Sequence, residues 1–316
     1  MKAKCVSETR NKNNKPSLLS NILQARYLYL LLMPGLIYYA IFCYLPMAGL
    51  MLAFKKYNAS LGILGSQWIG FANYTRLFRS PDFVHALINT IIISAGRLVI
   101  EFPFPIILAI LLSEMRILKL KRIYQTVLTF PYFLSWVIVG SILTTFFSSS
   151  GPMNFLLSLV GLPKTNILAS GSNFRWFIFG TSIWKNAGWS CIIYLAAIAG
   201  INPELYEAAI VDGASRLHRI WHITLPGLKT TITILFILAV GNIMNAGFDQ
   251  IFNIFNPAVY PVADILDTYV YRITFMAAPD YGFSTAVGLL KSVINFALLF
   301  LADRVSKYVS GSGLFA

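Results

Sequence analysis

The strongest constraint on this sequence is the recurrence of long apolar stretches. A helix needs about 20 mostly apolar residues to cross the hydrocarbon core of a bilayer. Six stretches reach that length: 27–54, 86–112, 124–147, 174–199, 230–248 and 285–302. Only 12% of the 316 residues are charged and 57% are hydrophobic, which excludes an ordinary soluble enzyme and a disordered chain. The sequence therefore predicts an all-α polytopic membrane protein with six transmembrane helices.

Prolines interrupt the first two apolar stretches. They are Pro34, Pro46, Pro103 and Pro105. Because proline lacks an N–H group and crowds the preceding helical turn, we expect kinks or early helix ends at these positions.

The distribution of basic residues predicts the orientation of the chain. With the N-terminus in the cytoplasm, the inner segments hold about twice as many Lys and Arg residues as the outer loops, as the positive-inside rule requires. This bias accounts for most of the net charge of +13, so no nucleic-acid partner is predicted. We expect a polar cytoplasmic tail (1–26), a transmembrane domain (27–304) and a cytoplasmic C-terminal tail (305–316). No small-residue cleavage site closely follows the first apolar run, so its removal as a signal peptide is not expected.

The connection at 200–229, on the predicted cytoplasmic side, contains residues that favour helices, although a simple loop would be long enough to join the two spans. Asn202 can cap a helix whose first residue is proline, and Gly213 breaks the apolar pattern that follows. Ser215 can cap a second helix, which we expect to end at Pro226. The pattern predicts two short amphipathic helices at the membrane surface. They either dock on a protein partner through their small residues or lie on lipid.

The residues of this connection resemble a known motif. They are Glu207, Ala208, Ala209, Asp212, Gly213, Ala214, Ile223, Leu225 and Pro226. Their types and spacing are similar to the EAA loop of permeases from binding-protein-dependent ATP-binding-cassette (ABC) importers. The resemblance implies the type I importer permease fold, in which this element is a coupling helix that docks into a cleft of the ATPase subunit.

Further similarity points to the carbohydrate-uptake branch of that family. It lies in the segments 42–46, 83–90, 131–136, 281–282 and 288–289. The nearest resemblance is to permeases for complex oligosaccharides such as alginate- and pectin-derived fragments. It implies a bacterial cell-membrane complex with a second permease in a heterodimer, two ATPase subunits that bind ATP and Mg²⁺, an extracytoplasmic solute-binding protein and a sugar cargo.

The chain is predicted to have no catalytic site, cofactor or metal of its own. Residues 227–230 do not form a phosphate-binding loop, because glycine does not precede Lys229. His218 and His222 are spaced for one helix face, but no third ligand lies nearby. Three alternatives stay open: an ABC permease for a non-sugar solute, a proton-coupled secondary carrier, and an intramembrane enzyme.

Ionisable residues within the apolar stretches are functional candidates, because charges in a membrane are costly. Arg97 and Glu101 are four residues apart, so we interpret them as an ion pair that fixes packing, with a substrate contact as the alternative. Lys185 and Lys291 are candidate counter-charges for an acidic sugar. Snorkelling, or pairing with Asp249 or a neighbouring subunit, is the alternative.

Amides and aromatic residues in and next to the third, fourth and fifth apolar stretches complete the predicted substrate pathway. Asn242, Asn245 and Asp249 follow one another near the end of the fifth stretch, where they can line a water-filled pathway or hold helices together. Trp136, Trp184 and Trp189 are candidate stacking platforms for sugar rings, with packing or membrane-interface positions as the alternative.

Overall fold

The computed structural model describes residues 25–276, 279–310 and 313, and within them it is almost entirely helical. The predicted N-terminal tail lies outside the described residues, apart from positions 25 and 26. A short antiparallel pair, β1 (Lys55–Lys56) and β2 (Gln67–Trp68), aligns Lys55 with Trp68. The chain divides into two compact units, residues 1–51 and 52–316.

Fourteen labelled helices follow one another in the described part of the chain. They are α1 (Arg26–Phe54), α2 (Gly62–Gly65), α3 (Ala72–Arg79), α4 (Pro81–Ser113), α5 (Leu118–Phe133), α6 (Trp136–Phe146), α7 (Pro152–Leu159), α8 (Gly171–Ala199), α9 (Pro203–Val211), α10 (Arg216–Gly241), α11 (Phe248–Ile254), α12 (Tyr260–Ala263), α13 (Leu266–Tyr271) and α14 (Tyr281–Ser310). A 3₁₀ turn (Pro257–Val259) precedes α12, and a π turn (Arg272–Met276) extends α13.

Four of the described helices are long and apolar enough to cross a membrane: α1, α4, α10 and α14. The bent pair α5–α6 would make five. Helix α8, which covers the predicted fourth span, is long enough at 29 residues but is not among them. Arg175, Lys185 and Asn186 interrupt its apolar sequence. By length and hydropathy the structure therefore gives fewer than the six spans read from the sequence.

The predicted third span, 124–147, is not one continuous helix. Helices α5 and α6 meet at an angle of 96°. Leu134 is extended (ψ 137°), and the Ser135 hydroxyl accepts a hydrogen bond from the Ile138 N–H at 3.3 Å, so it caps α6. The predicted span is therefore a broken one, because Pro131 lies where one helix ends and the cap at Ser135 starts another.

The predicted ends of the fifth span also need correction. Helix α10 passes through Pro226 without ending, because a π turn (Ile220–Thr224) lies before the proline, which then occupies the first turn of the following α-helical segment. Proline is tolerated there, since the N–H groups of a first turn need no helical acceptor. At its other end α10 stops at Gly241, seven residues before the predicted end.

The prolines of the first two spans do not end their helices. Helix α1 continues past Pro34 into a π turn (Tyr39–Tyr44) and a 3₁₀ segment (Leu45–Phe54). Helix α4 contains a π turn (Arg97–Glu101) immediately before its own prolines. A π turn is one of the local adjustments by which a helix absorbs such an interruption. The helix of the sixth predicted span is longer than expected, since α14 continues to Ser310, within the region predicted as a tail.

Three apolar clusters form the core of the second unit, and α8 contributes to two of them. Phe174 and Ile178 pack with Ile251 of α11 in one cluster. Tyr194, nearer the end of α8, packs with Leu228 of α10 in another. The third cluster joins α3, α4, α13 and α14. Helix α8 thus packs against both α10 and α11, the helices on either side of residues 242–247.

Candidate functional site

The loop segment, residues 202–226, begins with a capped helix in which no residue is buried. The Asn202 side-chain oxygen accepts a hydrogen bond from the Glu204 N–H at 3.1 Å, which starts α9 as the sequence indicates. Every residue of α9 is exposed or half-buried. Val211 is 86% exposed and Ile210 57% exposed. Such an apolar surface on a short helix is typical of a surface that contacts a partner or lipid.

A glycine turn fixes the direction in which the chain leaves α9. Gly213 has a φ of 77°, a left-handed conformation that suits glycine. The Ala214 N–H donates to the Ala209 carbonyl at 2.8 Å, and the Gly213 N–H donates to the Ile210 carbonyl at 3.0 Å. These two bonds define a Schellman motif, which satisfies carbonyl groups at the helix end.

The motif residues of the loop segment are presented outward. Glu207, Ala208, Asp212, Gly213 and Pro226 are exposed, and Ala209, Ala214, Ile223 and Leu225 are half-buried. No hydrogen bond or ion pair involves the carboxylates of Glu207 and Asp212 among the described residues. They are therefore free to meet polar groups of another molecule.

The loop segment is connected firmly to α10. The Ser215 hydroxyl accepts a hydrogen bond from the His218 N–H and caps α10, and the Tyr206 and Thr224 hydroxyls lie 3.0 Å apart across the turn. His218 and His222 stack with ring centroids 4.0 Å apart. The described residues contain no group of three or more potential metal ligands. Helices α9 and α10 are thus joined by covalent, capping and side-chain contacts.

The predicted pathway amides Asn242 and Asn245 lie just beyond the other end of α10. There the helix gives way to the amide segment, residues 242–247, before α11 begins. Asn245 donates to the Asn242 side-chain oxygen at 3.3 Å, and both side chains are exposed. They line a cavity of about 330 Å³ together with Arg97 and Ser182. We call this the inner cavity. The fifth span therefore ends in a polar break, where the sequence alone indicated a continuous helix.

A second cavity adjoins the amide segment on the side of α11. Its volume is about 610 Å³, and Trp136, Asn245, Asp249 and Asp267 are among its lining residues. We call this the outer cavity. Because Asn245 lines both cavities, the amide segment forms part of both walls.

Lys185 is buried against aromatic rings and has no carboxylate partner among the described ion pairs. Its ammonium group donates to the Tyr132 carbonyl at 2.8 Å and lies 5.3 Å from the Tyr132 ring centroid and 5.4 Å from that of Trp136. The Tyr132 ring in turn stacks on Trp189, with centroids 4.6 Å apart and planes 4° apart. Three predicted pathway residues thus meet around Tyr132. Of these residues only Trp136 lines a cavity; Tyr132, Lys185 and Trp189 line neither, and Trp184, which is 52% exposed, lines neither as well.

The remaining predicted charges all lie near other polar groups, but not always the expected ones. Arg97 and Glu101 lie 3.2 Å apart within α4. Lys291 forms an ion pair with Asp267 at 2.6 Å, a partner that the sequence reading did not consider, while no ion pair among the described residues includes Asp249. Lys291 is consequently neutralised within the chain, 24 residues from its partner in sequence.

Sequence reasoning missed three residues that organise this site. Tyr132 lies under Lys185, while Ser182 and Gln250 contact Arg97 at 3.0 and 2.5 Å. No local pattern identifies Ser182 or Gln250, since each meets Arg97 only through tertiary packing. Proximity to Pro131 is the one signal that could have indicated Tyr132, because a helix interrupted in a membrane exposes carbonyl groups that need a donor.

Comparison with known proteins identifies the class of this chain. Residues 101–311 match the family of binding-protein-dependent transport system inner membrane components, which covers well over half of the chain. The chain belongs to this family. Its members are permease subunits of ABC transport systems, as the loop motif had indicated.

Individual relatives cover nearly the whole chain. The polygalacturonan/rhamnogalacturonan transport system permease protein YteP of Bacillus subtilis (strain 168) is 42% identical over 96% of this chain and 95% of its own length. Protein LplB of the same organism is 45% identical over 92% of this chain and 91% of its own. A chain in the crystal structure of a bacterial alginate ABC transporter, in complex with an alginate pentasaccharide-bound periplasmic protein, superposes with a TM-score of 0.87. It is 37% identical and covers 95% of this chain and 100% of that chain.

Proposed function

We propose that this chain is one of two transmembrane subunits of an ATP-driven oligosaccharide importer, and that the loop segment transmits force from an ATPase subunit. The observation that carries the proposal is the outward-facing loop segment, whose carboxylates at Glu207 and Asp212 are free and whose helix leads directly into α10. A surface helix of this kind contributes little to the fold of its own chain.

The geometry of α10 suits a lever. Its 26 residues span about 39 Å at 1.5 Å per residue, which joins the loop segment to the amide segment at the cavity walls. Closure of an ATPase dimer pulling on α9 would tilt α10 and move residues 242–247. Alternating access then follows from the exposure of the amide segment first to the outside and then to the cytoplasm.

We infer the partner proteins from the functions that this single chain does not supply in the proposed importer. In this proposal a second permease subunit, similar but not identical, completes the pathway that the inner cavity and the amide segment line on this chain. Two ATPase subunits would bind ATP and Mg²⁺ below the loop segments, and an extracytoplasmic solute-binding protein would deliver cargo from above. In this arrangement six segments cross the cell membrane, α8 serves as the inner fourth span, and both termini are cytoplasmic.

The cargo we infer is an oligosaccharide that contains uronate residues. Relatives named for polygalacturonan/rhamnogalacturonan and for alginate support this class. The site offers what a sugar needs: exposed amides at Asn242 and Asn245 for hydroxyl groups, and the Tyr132–Trp189 stack for apolar ring faces. Lys185, which has no carboxylate partner within the described chain, supplies positive potential behind the aromatic rings.

The coupling role is tested by charge reversal at Glu207 in the reconstituted transporter. Glu207→Lys should abolish oligosaccharide uptake and binding-protein-stimulated ATP hydrolysis while leaving membrane insertion unchanged, because Glu207 has no partner among the residues that the structure describes. Asp82→Lys, at the start of α4, is the control for an added surface charge. Normal uptake by Glu207→Lys at matched membrane levels, or equal loss in both variants, would count against the proposal.

The cargo class is tested separately by competition. Proteoliposomes that contain the transporter and its binding protein should import trigalacturonate, and unlabelled maltotriose in tenfold excess should not compete. Import of maltotriose but not trigalacturonate would remove the uronate assignment and leave the importer assignment standing. Uptake that resists vanadate and stops with a protonophore would remove both.

A further inference from the structure

Arg97 lies where three separate parts of the chain meet. It is in the π turn of α4, and its guanidinium forms the ion pair with Glu101 in the same turn. The same nitrogen, Nη1, donates to the Ser182 hydroxyl of α8 at 3.0 Å, and Nη2 donates to the Gln250 side-chain oxygen of α11 at 2.5 Å. The planar guanidinium, with its five donors in a fixed fork, suits such a divided role.

The partners of Arg97 are themselves held in place. The Ser182 hydroxyl donates to Glu101 at 2.7 Å, so Arg97, Glu101 and Ser182 form a closed triangle. The Gln250 amide donates to the Ile178 carbonyl and the Thr181 hydroxyl, both at 2.8 Å. The Arg97 Nε and Glu101 Oε1 atoms are buried without a hydrogen-bond partner among the described residues, so the network is not fully satisfied. A small shift of any element still breaks several of the bonds that it makes.

The network adjoins the amide segment through Gly247. Gly247 has a φ of 87° and is the last residue before α11. A Cβ atom at this position would overlap the Arg97 guanidinium. The guanidinium therefore lies directly against the backbone that ends the amide segment, and Gln250, three residues further on, is hydrogen-bonded to it.

Stability alone is a poor reason for this arrangement. Two charges buried in an apolar environment are often no more stabilising than well-packed apolar side chains, and in some proteins such groups serve to fix one geometry. The geometry fixed here is that of residues 242–247, whose amides line the inner cavity beside Arg97 itself.

We propose that Arg97 is a positioning residue of the transport pathway: it holds the amide segment in the register that presents Asn242 and Asn245 to the cargo. Its effect on sugar handling rests on the proposed function, whereas its effect on the position of the amides does not. Loss of the guanidinium fork removes the tie between α4 and α11, while Gln250 keeps its bonds to α8, and Asn245 then shifts in the shared wall of the two cavities.

The position of the amides is measured by cysteine accessibility in the assembled transporter. Asn245→Cys is introduced after the three native cysteines are removed, and its reaction rate with a small maleimide is followed. Arg97→Lys, which keeps the charge but loses the fork, and Gln250→Met, which leaves the Arg97–Glu101 pair intact, should each change that rate by about tenfold, as expected for loss of a hydrogen bond to a charged group.

The matched control is Arg272→Lys, because Arg272 also pairs with a carboxylate, Asp264, at 2.7 Å, but does not contact the amide segment. It should leave the labelling rate of Asn245→Cys unchanged. Equal rates in Arg97→Lys, Gln250→Met and the parent, or an equal change in Arg272→Lys, would overturn the positioning role.

A transport measurement completes the test with trigalacturonate and maltotriose as probes. Arg97→Lys should lower trigalacturonate imported per ATP hydrolysed by about tenfold, with binding-protein-stimulated ATPase activity within about twofold of the parent. A parallel fall of both quantities would indicate a merely structural role and would overturn the proposal. If no sugar is imported even by the parent, the proposed function fails, and the labelling rates still decide the role of Arg97.

Discussion

Gly213 offers the sharpest test of the loop segment, because its requirement for glycine is purely conformational. Its φ is 77°, and a Cβ atom there would have no atom within 4 Å, so substitution causes no steric clash. A non-glycine residue in this left-handed conformation costs about 1–2 kcal/mol. That cost corresponds to roughly a five- to thirtyfold change in an equilibrium constant.

Proline at this position is worse than alanine for two reasons. Its ring fixes φ near −65°, which is incompatible with the observed turn, and it removes the N–H that donates to the Ile210 carbonyl at 3.0 Å. Asparagine tolerates the left-handed region better than other residues. Uptake should therefore fall in the order glycine, asparagine, alanine and proline, with Gly213→Pro inactive and still inserted in the membrane.

The chain contains a matched control in Gly161, just beyond the end of α7. Its φ is 76°, its Cβ position is equally open, and the Leu162 N–H donates to the Leu157 carbonyl at 2.9 Å in the same Schellman pattern. Gly161→Pro should destabilise its turn by a similar amount, yet preserve ATPase stimulation and uptake. Equal loss of uptake in both proline variants at matched membrane levels would refute the idea that the Gly213 turn transmits force.

Three further changes probe other parts of the structure. Lys291→Met should lower the melting temperature more than the double change with Asp267→Asn does, because the single variant leaves a partly buried carboxylate uncompensated; a thermal shift in detergent measures this, and equal losses would contradict it. Trp189→Ala, which unstacks Tyr132, should lower trigalacturonate uptake by roughly tenfold, with Trp189→Phe intermediate, as competition assays would report. Ser135→Ala should cost about 1 kcal/mol of stability by removing the cap of α6, and an unchanged unfolding midpoint would show that the bend does not depend on this cap.

Much of the loop segment could be predicted because its signals are local. Asn202 and Ser215 cap their helices through bonds to N–H groups two and three residues away, and Gly213 alone supplies the left-handed turn. These interactions depend only on neighbours in sequence, so the residue order was sufficient. The end of the second helix was missed because the π turn before Pro226 removes the conflict that normally stops a helix at proline.

The pathway could be predicted only as a set of residue types. Density of amides near the end of the fifth apolar stretch indicated a polar wall, but hydropathy could not show that α10 stops at Gly241, since apolar residues continue on both sides of the break. The bend between α5 and α6 was hidden for the same reason. The length and mean hydropathy of a stretch depend only on its composition, so they contain no information about the change of direction between Phe133 and Trp136.

The sequence by itself determined that the chain lies in a membrane, because the length of an apolar stretch is read directly from residue order. It also determined the local turns, because a capping residue acts on N–H groups within one helical turn. Tertiary structure alone decided which charges meet. Arg97 lies 153 residues from Gln250 in sequence, and Lys291 lies 24 from Asp267. In an apolar environment each charge must find a partner wherever the packing of α4, α8, α11 and α14 brings one within reach, and that choice is made by the fold as a whole.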